Sequence, residues 1–322
     1  MTGPDVLFDG EHVQLLHFRR DSRIGLLTFD IMHARANGRN AFGKKLCERI
    51  GYDLLAVVPK YPCWYPAEEM RRIASISGQI GGATRIAYGA SMGGYGALRW
   101  GRQMGAEVVL ACSPQYSIDP KAIGDGDRRY ARHFRPDVHL DMDIRPEHIP
   151  TGSVMIYDPC FRLDRIHADR MLFPSVTGIP LPHMGHRTVE CLAGSVLATS
   201  VFEGLIAGRI SAIRKVLLER RKITHSFPIH LAQAALQRGK LELADRIAQK
   251  VIEPWSRHRL LAQIAGKRQN YSGAADHFRS ALLVRPECRL TRLQLGKLGQ
   301  PSLLGHEDIA REAPAKTRQG TP

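Results

Sequence analysis

Apolar positions change their rhythm along this chain, and the change divides it. Up to about residue 200, short runs of aliphatic and β-branched residues alternate with stretches whose apolar positions recur at helical spacing. The runs predict strands over Val13–Phe18, Ile24–Asp30, Leu54–Pro59, Arg85–Ser91, Val108–Ser113, Ser153–Asp158 and Val176–Pro182. Several are continuous, such as Leu54-Leu55-Ala56-Val57-Val58, which suits a parallel strand covered on both faces. Between them the spacing predicts helices over about 41–50, 67–80, 94–104, 163–172 and 188–201. Strand and helix in alternation predict an α/β fold with a mostly parallel sheet.

Two segments break the alternation. Residues 119–150 are polar and rich in Asp, Arg, His and Pro, and they follow a strand end, where a lid-like insertion is commonly placed. From about Phe202 no strand signal remains. The expected organisation is therefore an α/β domain over 1–202, a smaller all-α region over 203–298 and a disordered tail over 299–322. The helical region carries a weak repeat, in which Gly239, Ala244 and Ala248 are echoed by Tyr271, Ala274, Phe278, Ala281 and Pro286. It resembles tetratricopeptide helix pairs, with a spacing of about 30 residues instead of about 34. A plain helical bundle is the alternative.

Charge sharpens this division. The chain carries a net charge of +15, and from Glu203 onward 22 Lys and Arg face 10 Asp and Glu. No DNA- or RNA-binding motif accompanies the excess, so it is read as a basic solvated surface and not as a nucleic-acid site. A protein partner could dock on the helical region. The six cysteines stand singly, without CxxC spacing, so neither a zinc site nor a redox pair is signalled and no metal or cofactor is expected. Three of them, Cys47, Cys112 and Cys191, lie in apolar stretches as small core residues. The first twenty residues include Asp5, Asp9 and Glu11 without a long apolar run, and no segment is long enough to span a membrane. A cytoplasmic location is the expectation.

The candidate chemistry centres on Gly89-Ala90-Ser91-Met92-Gly93. A strand runs into this pentapeptide and a helix start follows it. A serine on such a turn is held at a sheet edge and at a helix N-terminus, where negative charge is favoured. Serine needs a base, and the base needs an orienting carboxylate. Asp158 stands at the end of the strand Ser153–Asp158, stopped by Pro159, and is the expected acid. Asp164 is the fallback, otherwise read as an ion-paired helix residue. Two histidines, His183 and His186, occupy the loop after the last strand. His186 is preferred because it directly precedes a helix.

With these residues, positions 13 to about 200 resemble the α/β-hydrolase superfamily. The runs Ser91–Ala97 and Ser113–Pro120 also look like a bacterial subgroup of esterase-like proteins with helical-repeat tails. The resemblance implies acyl transfer by Ser91, His186 and Asp158, in the chain order Ser, Asp, His, through an acyl-enzyme. It implies an oxyanion hole built from the Met92 N–H and a second N–H of the loop after Ile24–Asp30. Many relatives carry His-Gly in that loop. This chain has Thr28-Phe29-Asp30-Ile31, which leaves Phe29, Asp30 and Ile31 as candidates, with Asp30 taken forward. The expected substrate is a small-molecule or saccharide ester, held in part by the aromatic loop Tyr61–Pro66. The Arg and Lys of the insertion are expected to pair with its own aspartates. An acyltransferase using the same residues, and a non-catalytic scaffold recruited through the helical region, are the alternatives.

Overall fold

The computed structural model describes residues 3–78, 80 and 84–298, so the expected tail over 299–322 lies outside the described residues. The chain divides into two compact units after Arg221, not after residue 202.

Among the described residues of the first unit, eight strands form one sheet: β1 (Asp5–Asp9), β2 (Val13–Phe18), β3 (Ile24–Phe29), β4 (Asp53–Pro59), β5 (Thr84–Ala90), β6 (Val108–Cys112), β7 (Ser153–Tyr157) and β8 (Val176–Pro180). Their spatial order is β1-β2-β4-β3-β5-β6-β7-β8. β2 runs antiparallel to β1 and β4, and every other pairing is parallel. This is the mostly parallel sheet of an α/β-hydrolase-type fold. The strands Leu54–Pro59 and Val108–Cys112 are buried throughout, as their unbroken apolar runs require.

Helices cover the sheet: α1 (Lys44–Ile50), α2 (Ala67–Ser77), α3 (Met92–Trp100), the short α4 (Pro120–Ile123), α5 (Arg162–Asp169), α6 (Ser195–Ile206) and α7 (Ile210–Arg220). All nine residues of α3 are buried, because this helix packs on the sheet directly behind β5. The expected helix over 188–201 is two pieces, a 3-10 turn at Thr188–Leu192 and then α6, separated at Gly194 with φ +109°. α6 and α7 belong to the first unit. Phe202 packs edge-on against Tyr88 of β5 at 5.4 Å, and Ile213 and Leu217 of α7 are buried. The unit boundary therefore lies beyond the loss of strand signal that located it at 202.

Among its described residues the second unit is helical: α8 (Ser226–Gln237), α9 (Leu241–Ala248), α10 (Pro254–Lys267), α11 (Tyr271–Val284) and α12 (Arg289–Lys297). α8 with α9, and α10 with α11, form two helical hairpins. The repeated small residues Ala244, Ala248, Ala274 and Ala281 are all buried, with Phe278 among them. Small side chains there let the paired helices approach closely.

Candidate active site

The elbow is built by backbone constraint. β5 ends at Ala90 and α3 starts at Met92, leaving Ser91 between them at φ 54°, ψ −122°. A non-glycine residue in that region costs about 1–3 kcal/mol and persists only where its surroundings over-determine it. Here they do. The Ser91 N–H donates to the Cys112 carbonyl at 2.8 Å, and its carbonyl accepts the Tyr95 N–H at 3.0 Å. A Cβ on Gly89 would lie 2.1 Å from the Gly93 carbonyl oxygen, and one on Gly93 would lie 2.1 Å from that of Phe29. Both glycines are needed because backbone passes against backbone.

The Ser91 hydroxyl points at the loop after β8. Its Oγ lies 2.8 Å from His186 Nε2. His186 Nδ1 lies 2.7 and 2.8 Å from the two carboxylate oxygens of Asp164, which is 1% exposed. Of the two loop histidines, then, His186 meets the serine. His183 occupies the turn before it at φ +66°.

The carboxylate behind the imidazole is Asp164 of α5, not Asp158. Asp158 is buried at the end of β7 as expected, but other partners occupy it. It accepts the Cys160 N–H at 2.7 Å, the Met184 N–H at 2.8 Å and the Gly185 N–H at 2.7 Å. Asp158 therefore pins the loop that carries His186 without touching the imidazole. In the first turn of α5, Asp164 projects back toward the loop.

Asp164 also has a cationic neighbour. Arg129, from the 119–150 insertion, donates to it at 2.9 Å and to Asp127 at 2.7 Å. Asp127 in turn lies 3.1 Å from His167 Nε2, and His167 Nδ1 accepts the Tyr116 N–H. Burial opposes ionisation of Asp164, but His186 and Arg129 outweigh it and hold its carboxyl below the usual carboxylate range. Burial likewise disfavours the Asp127 carboxylate, and His167 and Arg129 reverse that too.

The insertion is tied into the body. Tyr95 Oη donates to the Met142 carbonyl at 2.8 Å, and His139 Nε2 lies 2.8 Å from the Cys63 carbonyl. Its arginines pair as their sequence spacing suggests, Arg128 with Asp125, Arg135 with Asp137 and Arg145 with Asp141. Arg129 departs from that pattern by also reaching Asp164.

Two further side chains converge on Ser91, and sequence reading did not single them out. Gln115, fully buried after β6, places Nε2 3.4 Å from Ser91 Oγ. Tyr130 places Oη 3.4 Å from His186 Nε2, the atom that meets Ser91 Oγ. The aromatic loop 61–66 backs them. Trp64, itself at φ 46°, packs on the Tyr130 ring at 5.2 Å, and its Nε1–H donates to Gln115 Oε1 at 3.3 Å.

The expected backbone donor at Asp30 is corrected by the sheet. The Asp30 N–H donates to the Val57 carbonyl at 3.2 Å, which continues the β3–β4 ladder. Its carboxylate is buried and accepts the Phe42 N–H at 2.8 Å. Burial pushes that carboxyl up to about 6, against the lowering effect of the Phe42 and Ile31 N–H groups. Met92 is the first residue of α3, so its N–H has no acceptor inside the helix.

No family model matches the sequence, and no match to it was found among curated proteins. Solved structures of α/β-hydrolase fold do resemble it. The capsule O-acetyltransferase of Neisseria meningitidis serogroup A is 15% identical over 64% of this chain and 97% of its own, with a TM-score of 0.42. The alpha/beta hydrolase domain-containing protein 10 from mouse is 13% identical over 64% of this chain and 99% of its own, at 0.42. An α/β serine hydrolase without lid from Xanthomonas campestris is 14% identical over 65% of this chain and 94% of its own, at 0.37. Among the described residues, no helix is long and apolar enough to cross a membrane.

Proposed function

We propose that this chain is a serine hydrolase that cleaves a carboxylic ester through an acyl-enzyme, with Ser91 as nucleophile, His186 as base and Asp164 as the carboxylate behind it. The observation that carries this is the unbroken relay from Ser91 Oγ through His186 to Asp164, with contacts of 2.8 and 2.7 Å. A neutral His186 with its proton on Nδ1 donates to Asp164 and leaves Nε2 free to accept the serine proton. Oγ adds to the ester carbonyl as its proton passes to Nε2, and the carbonyl electron pair moves onto oxygen. Collapse expels the alcohol, which takes the proton back from Nε2. Water repeats the sequence on the acyl-enzyme and releases the acid. Asp164 remains ionised throughout and stabilises the imidazolium.

The substrate is a small-molecule or saccharide ester that reaches Ser91 beside Trp64 and Tyr130. A fluorophosphonate probe tests the nucleophile. The folded wild-type protein is expected to be labelled and Ser91→Ala to stay blank. Absence of labelling on well-folded wild type would end this assignment. Product analysis with p-nitrophenyl acetate, with and without added glycerol, then distinguishes water from an alcohol as acyl acceptor.

A further inference from the structure

Two of the backbone groups at the end of β3 are committed to the sheet. Phe29 lies within the ladder between β4 and β5, and the Asp30 N–H donates to the Val57 carbonyl. Yet two buried side-chain donors reach the Ser91–His186 contact from elements that the hydrolase relay does not use, Gln115 at Ser91 Oγ and Tyr130 at His186 Nε2. We infer that the oxyanion hole of this protein is made by the Met92 N–H together with the side chains of Tyr130 and Gln115. This rests on the serine-hydrolase assignment and deepens it.

The orientation of Gln115 follows from its partner. Trp64 Nε1 can only donate, so the atom that it meets at 3.3 Å is the amide oxygen. The amide nitrogen is thereby turned toward Ser91 Oγ, and it also lies 3.4 Å from the Ser113 carbonyl. Tyr130 is fixed just as firmly. Its ring is held by Trp64 at 5.2 Å and by the Arg129 guanidinium at 5.0 Å, and Arg129 is anchored on Asp127 and Asp164. Burial pushes its hydroxyl up to about 12, so it stays protonated and donating through the neutral range. When Oγ adds to the carbonyl carbon, the charge that forms on the carbonyl oxygen develops beside Oγ, where both donors point. They stabilise it by hydrogen bonding, and neither gives up a proton.

The insertion thus contributes a catalytic hydroxyl as well as covering the site. Its test is the second-order rate of fluorophosphonate labelling, because phosphonylation develops a comparable oxyanion and needs no known substrate. Tyr130→Phe keeps the ring and removes only the donor. Gln115→Glu keeps an acceptor for Trp64 and replaces the donor that faces Ser91. Each is expected to label about 100-fold more slowly than wild type, Tyr130→Phe with an unchanged melting temperature and Gln115→Glu with a lower one in protein that still folds. On p-nitrophenyl acetate the loss should appear in kcat, with KM little changed. A folded variant labelled within about twofold of wild type removes that residue from the oxyanion hole, while a normally reacting wild type leaves the hydrolase assignment standing. A wild type that does not react at all overturns both. Should Tyr130→Phe melt early, Gln115→Glu still decides whether a side chain supplies an oxyanion donor.

Discussion

Asp158 and Asp164 stand six residues apart, both buried, and they serve different partners. Their substitutions should separate accordingly. Asp164→Asn leaves the shape intact but lets the wrong imidazole tautomer form, so the labelling rate is expected to fall about ten-thousand-fold in protein that still folds, with a lower melting temperature because Arg129 keeps only Asp127 as its carboxylate partner. Asp158→Asn faces three N–H groups with an amide that has one acceptor oxygen. Stability should drop by about 2–4 kcal/mol, and a melting curve reads it directly. Sequence favoured Asp158 because a carboxylate at a strand end usually faces a site. What it did not reveal is that the His186 loop turns back and claims that carboxylate for its own backbone. Asp30 gives a pH signature. Its folded carboxyl is raised to about 6, so the folded state holds this proton more tightly than the unfolded chain. The associated stability is present below about pH 4 and is lost as pH rises through 6. Asp30→Asn should therefore raise the melting temperature at pH 8, by on the order of 3 kcal/mol of stability, with the gain vanishing near pH 4. A gain of equal size at both pH values would contradict it.

At the scale of elements, the elbow is the least tolerant part of the fold. A methyl on Gly93 meets the Phe29 carbonyl oxygen at 2.1 Å, and backbone on both sides cannot step aside as a flexible side chain would. Gly93→Ala is expected to cost about 4 kcal/mol or more, seen as insolubility or as a melting temperature lower by about 10 °C or more. The elbow was legible in sequence because its steric demand needs glycine at both positions. The parallel strands were legible for a related reason, since burial on both faces leaves unbroken apolar runs such as Leu54–Val58. β1 escaped notice because it lies at the sheet edge, and Asp5, Val6 and Asp9 are exposed. Gln115 and Tyr130 escaped because convergence in space has no sequence period. They sit on irregular segments, and only the fold brings them to Ser91. The helical hairpins lie between these cases. Their buried alanines were visible as a repeat, because a small residue recurs wherever two helices close on each other.

At the scale of the whole molecule, the disappearance of strand signal and the end of the first folded unit are different boundaries. Strand signal ends with β8, but α6 and α7 still complete the core over which the sheet closes. A chain cut after Phe202 would interrupt α6 and lose Leu205, Ile213 and Leu217, all buried. Burying each is worth about 1.5–3 kcal/mol. Together they amount to about 5–9 kcal/mol, as large as the whole net stability of many domains. A chain cut after Arg221 keeps all three, together with the bond from the Arg221 guanidinium to the Pro182 carbonyl beside the His186 loop. The two truncations should therefore behave oppositely. Residues 1–221 are expected to melt in one cooperative transition and to react with a fluorophosphonate at Ser91, whereas residues 1–202 should show neither. If the shorter chain melts cooperatively and labels as well as the longer one, α6 and α7 are appendages and the first unit ends where the strands do.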